Sequence, residues 1–229
     1  MSGTQAVIFD LYETLISEYE NGSRKVSRSS RDMETLIGLS DERFKREWNS
    51  RQDKRMTGHF RTYKEVMKDI AECNGMGFCE ETVEALYTER ILEKSAAFVQ
   101  ISPEIVPMLR KLKAGGLKLG LISNCTEEEV RSWGSCGLAE YFDQVVFSYE
   151  AGLAKPDERI YKRACSLLEV EAEQCVYIGD GGSDELLGAS RVGMRVYQAV
   201  WFIPASIADK HGRYPRAAKP ADVIRLLSC

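Results

Sequence analysis

The residues Ile8-Phe9-Asp10-Leu11-Tyr12-Glu13-Thr14-Leu15 set an aspartate directly behind the apolar run Ala6-Val7-Ile8-Phe9. A strand buried on both faces of a parallel sheet has this unbroken apolar character. It ends by presenting Asp10 at its carboxyl edge, where open α/β sheets bind their ligands. Three more strand-sized runs end in the same way: Leu117 to Ile122 before Ser123, Gln144 to Phe147 before Ser148, and Cys175 to Ile178 before Gly179-Asp180. Helical patterns separate them at Pro103 to Ala114, Thr126 to Gly134, Pro156 to Leu168 and Asp184 to Val192, and a strand at Met194 to Val200 and a helix near Ala221 to Leu227 close the series. Strand and helix in alternation predict an α/β fold: a doubly wound parallel sheet with helices on both faces.

The interval from about Ser17 to Phe98 breaks that alternation. It carries three helix-like segments, at about Asp41 to Arg55, Arg61 to Cys73 and Glu80 to Lys94, and no clear strand. The expected organisation is therefore an α/β core formed by residues 1–16 and 99–229, with residues 17–98 inserted as an α-helical cap over the strand ends. Pro103 and the Gly115-Gly116 pair punctuate the return to the sheet.

A chain of 229 residues with 44% hydrophobic residues can bury one sizeable core. Its net charge of −4 provides no global basic field, so nucleic acid is not the expected partner. The one basic stretch, Arg24 to Arg31, reads as a solvated loop or a gate for an anionic ligand. Seven cysteines without metal-type spacing read as reduced thiols. No apolar run is long enough to span a bilayer, and the N-terminus lacks a cationic flank and cleavage site. A cytoplasmic protein, monomer or homodimer, with a small anionic substrate is the expectation.

Asp10, Ser123, Asn124 and Asp180 all follow apolar runs, and Lys155 lies in the loop after another, so the topology converges them on one pocket. With these residues placed, the stretches "FDLYETL", "LISNCT", "AKPDERIY" and "YIGDGGSDELLGA" in order resemble the four motifs of the haloacid dehalogenase (HAD) superfamily of hydrolases. The 113 positions from Asp10 to Ser123 match where such proteins insert a helical cap; the 32 from Ser123 to Lys155 are too few for a second. The resemblance implies a Rossmann-like core, Asp10 as a carboxylate nucleophile, and Mg²⁺ held by Asp10, Asp180 and the backbone carbonyl of Tyr12. Lys155 then offers charge to the nucleophile and the substrate oxygens. Ser123 and Asn124 open a helix whose N–H groups favour an anion. Thr14 holds the first loop, Glu185 orients metal-bound water, and Gly181 and Gly182 let the backbone approach the ion.

Tyr12 complicates the assignment. Phosphatases of the superfamily usually carry a second aspartate two places after the nucleophile, as acid and base, and a phenol with a reference pKa near 10 is a poor base at pH 7. A tyrosine there resembles the family's 2-haloacid dehalogenases, as does Tyr161 six places after Lys155. Those enzymes need no metal and lack an aspartate at the place of Asp180. Two carboxylates ~4 Å apart repel by about 4 kcal/mol at an effective dielectric of ~20, so retention of Asp180 favours a cation. The reading is a Mg²⁺-dependent hydrolase of a small phosphate ester or acyl phosphate, with the metal-independent dehalogenase as alternative and a nearly inactive binding or regulatory protein as the second. Arg28, Arg31, Arg43 and Arg51 are candidates for a cap-side arginine, and Trp48, His59, Phe60 and Tyr63 for cap contacts.

Overall fold

A computed structural model describes residues 3–27 and 32–227. The predicted strands form as β1 (Ala6–Phe9), β2 (Lys118–Ser123), β3 (Gln144–Phe147), β4 (Cys175–Gly179) and β5 (Arg195–Ala199). A two-residue strand, β6 (Arg216–Ala217), completes one six-stranded parallel sheet in the order β3-β2-β1-β4-β5-β6. β6 is too short to show a pattern in sequence. β1 lies at the centre, with Phe9 in register with Leu121 on one side and Ile178 on the other. The chain grows outward from β1 through β2 and β3, then returns to β4 and grows the other way. The switch point therefore falls between β1 and β4, where Asp10 and Asp180 emerge, and such crevices are the usual ligand sites of open α/β sheets.

The period of two along a strand splits the core between the two faces. Val7 and Phe9 point to one face, where they pack with Leu119, Leu121, Val176 and Ile178. Ile105, Met108, Leu109 and Leu112 of α6 (Ile105–Ala114) and Val223 of α12 (Pro220–Leu227) close that face. Ala6 and Ile8 point to the other, against Ile160, Tyr161, Ala164 and Leu168 of α9 (Glu158–Leu168) and Leu186 and Ala189 of α10 (Glu185–Arg191). Each of the large side chains contributes about 1.5–3 kcal/mol by leaving water. Gly120 on β2 is a glycine because a Cβ there would lie 2.8 Å from Leu168 Cδ1.

Residues 33–99 hold five helices rather than three. α1 (Met33–Ile37) was not foreseen; Asp32 caps it by accepting from the N–H of Glu34 and Thr35, and Gly38, at φ 75°, ends it. The segment expected from Asp41 to Arg55 breaks into α2 (Asp41–Ser50) and α3 (Gln52–Met56) at Arg51. α4 (Tyr63–Cys73) starts at a Thr62/Glu65 capping box. α5 (Glu80–Val99) runs beyond Lys94 because its inner face buries Arg90, Glu93 and Lys94 beside Ala97 and Phe98, and those charged residues mask its apolar period. Before the helices, Tyr19–Glu20 pairs with Ser23–Arg24 in a hairpin turned by Asn21 and Gly22, both at positive φ. Asn-Gly is the usual residue pair of a two-residue hairpin turn. Between the helices and the core, α5 packs on α7 (Glu127–Val130), one turn of helix where a longer one was expected. Arg90 ties them, donating to Glu128 (2.8 Å) and Glu129 (2.7 Å).

Among the described residues every cysteine is free, and no helix is long and apolar enough to cross a membrane. Of the basic stretch, Arg24 pairs with Glu18 (3.1 Å) and Lys25 donates to the Gln100 carbonyl (2.9 Å); Arg28 and Arg31 lie outside the described residues.

Candidate active site

Asp10 takes its position from β1, whose ladder extends one step further through the Asp10 N–H to the Ile178 carbonyl (2.9 Å). Its buried carboxylate accepts from Lys155 Nζ at Oδ1 and from Thr14 Oγ1 at Oδ2 (3.3 Å). Lys155 Nζ also donates to Glu185 Oε2 (2.5 Å), the Ile122 carbonyl (3.2 Å) and the Tyr177 hydroxyl (3.2 Å). Its backbone is fixed by Asn124, whose amide accepts from the Lys155 N–H (2.7 Å) and donates to the Lys155 carbonyl (2.9 Å). The side chain of Asn124 thus positions the lysine loop against the end of β2, where Ser123 sits buried next to it.

Asp180 lies half-buried at the end of β4; its carboxylate accepts from the Gly182 N–H (3.0 Å) and its carbonyl from the Gln198 amide (3.0 Å). Glu185, the first residue of α10, is fully buried and accepts from Gly181 N–H (3.0 Å) and the Tyr177 hydroxyl (2.7 Å). One carboxylate oxygen from each of Asp10, Asp180 and Glu185 lies within 4.8 Å of the others. The turn that joins them is tight: Gly181 has φ 105°, and a Cβ on Gly182 would press on Asp180 at 3.2 Å. Ser183 and Asp184 follow at φ 54° and 50°, in the left-handed region that non-glycine residues seldom occupy.

The electrostatics follow from that crowding. Burial raises the Lys155 ammonium's difficulty in holding charge, but the carboxylates of Asp10 and Glu185 outweigh it and hold the lysine protonated. One ammonium cannot neutralise three carboxylates. Burial first, then repulsion from Glu185, pushes Asp10 up to about 6 in spite of Lys155. Burial and the charge of Asp10 push Asp180 up to about 6 as well. Glu185 is raised too, by burial before all else. With all four groups ionised the site carries a surplus of two negative charges on hard oxygen ligands, which suits a divalent cation of the Mg²⁺ type.

Tyr12 turns away from this cluster. Its hydroxyl donates to the Glu129 carbonyl (2.5 Å), and its ring meets Phe98 edge-on and carries Lys94 Nζ at 5.1 Å. Burial and the nearby Glu129 carboxylate raise its phenol well above the ordinary range, so it is no proton source at neutral pH. Tyr161 likewise donates to the Glu185 carbonyl (2.9 Å) and holds α10 rather than facing a ligand. Sequence reasoning missed Tyr177, which looked like one more apolar strand residue although its hydroxyl bridges Lys155 and Glu185. It missed Trp201 too, whose indole N–H donates to the Thr14 carbonyl (2.8 Å) and ties the loop after β5 to the loop after β1. Of the cap candidates, Arg51 is held by Glu47 and Asp69 (2.6 Å each), Arg43 and His59 are exposed, and Phe60 packs on His59. Trp48 and Tyr63 line a cavity of about 550 Å³ between the helices and the core, which Glu18, Lys94 and Glu129 also line.

A family model for haloacid dehalogenase-like hydrolases matches residues 4–193. Among curated relatives, the glyceraldehyde 3-phosphate phosphatase of Methanopyrus kandleri is 27% identical over 83% of this chain and 81% of its own. The phosphoglycolate phosphatase of Aquifex aeolicus is 26% identical over 97% of this chain and 96% of its own. A human haloacid dehalogenase-like hydrolase domain-containing protein 3 matches a shorter stretch, 36% identical over 40% of this chain and 37% of its own. Among solved structures, a 2-haloacid dehalogenase from Pseudomonas syringae superposes with a TM-score of 0.65 at 24% identity, over 98% of both chains. A HAD family enzyme from Bacteroides thetaiotaomicron, in complex with magnesium and inorganic phosphate, superposes with a TM-score of 0.62 at 18% identity, over 89% of this chain and 98% of its own. At these identities the structural likeness speaks for the fold alone.

Proposed function

The chain belongs to the haloacid dehalogenase-like hydrolases, and on that premise we propose that it is a Mg²⁺-dependent phosphohydrolase acting on a small phosphate ester or acyl phosphate. The observation that carries this reading is the surplus of carboxylate at the switch point: Asp10, Asp180 and Glu185 around the single ammonium of Lys155. A halide displacement needs only the nucleophile and gives Asp180 no task. Two relatives matched over about four-fifths or more of both chains are named as phosphatases, which supports the same choice.

Asp10 and Asp180, with the Tyr12 backbone carbonyl, would hold Mg²⁺, and Glu185 would orient its waters. When bound, the ion supplies positive charge to the phosphoryl oxygens. Lys155 holds Asp10 Oδ1, which leaves Oδ2 to attack phosphorus; the bond to the leaving oxygen breaks and its electron pair departs with that oxygen. Water then attacks phosphorus, the aspartyl–phosphorus bond breaks, and inorganic phosphate leaves with Asp10 restored. Ser123 and the N–H groups at the start of α7 bind phosphoryl oxygens, and Thr14 steadies the attacking carboxylate. The helices of residues 17–98 act as a cap that excludes water from the intermediate.

Purified protein assayed against phosphate esters, acyl phosphates and 2-haloacids, each with and without Mg²⁺, tests the proposal. Phosphate release that vanishes with chelator is expected. Mg²⁺-independent halide release without phosphate release would overturn it in favour of the dehalogenase.

A further inference from the structure

A cleft of about 720 Å³ opens beside Asp180, between the hairpin and the loop that follows β5. One wall is apolar: Trp201, Phe202, Ile203 and Ile207. Tyr19 of the hairpin faces it, and Tyr19 and Ile207 keep 39% and 42% of their surface exposed at the rim. Large apolar side chains left in water beside a reactive carboxylate mark a binding surface rather than a core. The one other acidic group of the lining, Glu13, is committed to the hairpin, accepting from the Glu18 N–H (3.0 Å) and the Ser17 hydroxyl (2.6 Å).

A second observation limits the chemistry of whatever departs toward this cleft. Tyr12 supplies no acid there: it is not among the residues that line the cleft, and its hydroxyl is bonded to the Glu129 carbonyl (2.5 Å). A leaving group must then depart as a stabilised anion. We propose that this cleft binds an aromatic leaving group, so that the substrates are aryl phosphates whose ring lies against Trp201 and Phe202 while the phosphoryl group faces Asp10 and Asp180. The inference rests on the phosphohydrolase reading and names its substrate class. In the first step the Asp10 Oδ2–P bond forms and the P–O(aryl) bond breaks, with the electron pair leaving on a phenolate that takes its proton from solvent. An alkoxide has no such route here, because it is far less stable as a free anion.

Two measurements test the assignment. Phenylphosphonate and methylphosphonate share the anionic head and cannot be hydrolysed, so their inhibition of acetyl phosphate turnover isolates the ring. Phenylphosphonate should inhibit about tenfold or more tightly, the scale of burying one aromatic ring against apolar walls. Phe202→Ala and Ile207→Asp should shrink that preference to about threefold or less and lower the phenyl phosphate to acetyl phosphate ratio of kcat/KM in parallel, with melting temperatures showing that both variants fold. Equal inhibition by the two phosphonates, with acetyl phosphate still hydrolysed, overturns the aromatic site and leaves the phosphohydrolase standing. Failure to hydrolyse either acetyl or phenyl phosphate overturns the phosphohydrolase itself.

Discussion

Asp180→Asn should stabilise the metal-free protein at neutral pH. Asp180 sits in the fold with a pKa of about 6 against an ordinary 3.8. Its folded value is raised, so the stability tied to its protonated form is present in full below the ordinary value and is lost as pH climbs through about 6. At ~1.4 kcal/mol per unit the full loss is about 3 kcal/mol, and the solvent that still reaches Asp180 brings it to about 2. Asparagine keeps the acceptor for the Gly182 N–H and removes the charge that faces Asp10. In EDTA at pH 7.5 the variant should melt about 4–8 °C above wild type, from ~2–4 °C per kcal/mol for a chain of this size. At about pH 3, below the ordinary value, the carboxyl is protonated in both states and the two should melt together. Adding Mg²⁺ at ~100 times its dissociation constant should return about 2.7 kcal/mol to the wild type and little to the variant. A variant that melts at or below wild type in EDTA at pH 7.5 would show that Asp180 is satisfied by the protein alone, and the case for a cation would fail.

Asp10→Asn nearly conserves shape and should abolish phosphate release while leaving circular dichroism and melting close to wild type; wild-type turnover would dismiss Asp10 as the nucleophile. Tyr12→Phe leaves the Glu129 carbonyl without its donor and should cost about 1–3 kcal/mol of stability, with kcat changed less than about twofold. A tenfold fall in kcat there would mean that the phenol takes part in the chemistry. Tyr12→Asp should speed alkyl phosphate hydrolysis by about tenfold or more and nitrophenyl phosphate much less, the mark of a restored acid; equal acceleration of both in single turnovers would refute that role. Arg90→Ala strands the buried carboxylate of Glu128, leaves Glu129 to Lys94 (3.3 Å), and should cost about 3–5 kcal/mol in urea unfolding, whereas a loss under 1 kcal/mol would mean that the pairing between α5 and α7 is replaced by water.

The sheet and the carboxylates at its edge were legible because both depend on short-range pattern. An apolar run followed by Asp10, or by Gly179-Asp180, specifies at once a buried strand and the residue at its end. The helical character of residues 33–99 was legible as a whole and less so in its parts. α5 hides its length behind a buried face of Arg90, Glu93 and Lys94, whose partners Glu18, Arg24, Glu128 and Glu129 lie far away in sequence. α1 is five residues long and declares itself only by its caps, Asp32 and Gly38. Tyr12 could be seen to be unusual, but not where its ring would go, since that depends on a carbonyl 117 positions away. Tyr177 and Trp201 were invisible for the same reason: each acts through one polar atom on an otherwise apolar side chain.

The central place of β1 also governs how the molecule comes into being. Ile8 is made long before Tyr177, its partner on one side. Until β4 is synthesised, β1 and β2 form a sheet with a bare edge of Ala6-Val7-Ile8-Phe9, the kind of strand that pairs with a neighbouring chain. Contacts of such long sequence separation are slow to close. Asp10 and Asp180 meet only when that edge is sealed, so a chain cut short of β4 has neither a finished sheet nor the two carboxylates side by side.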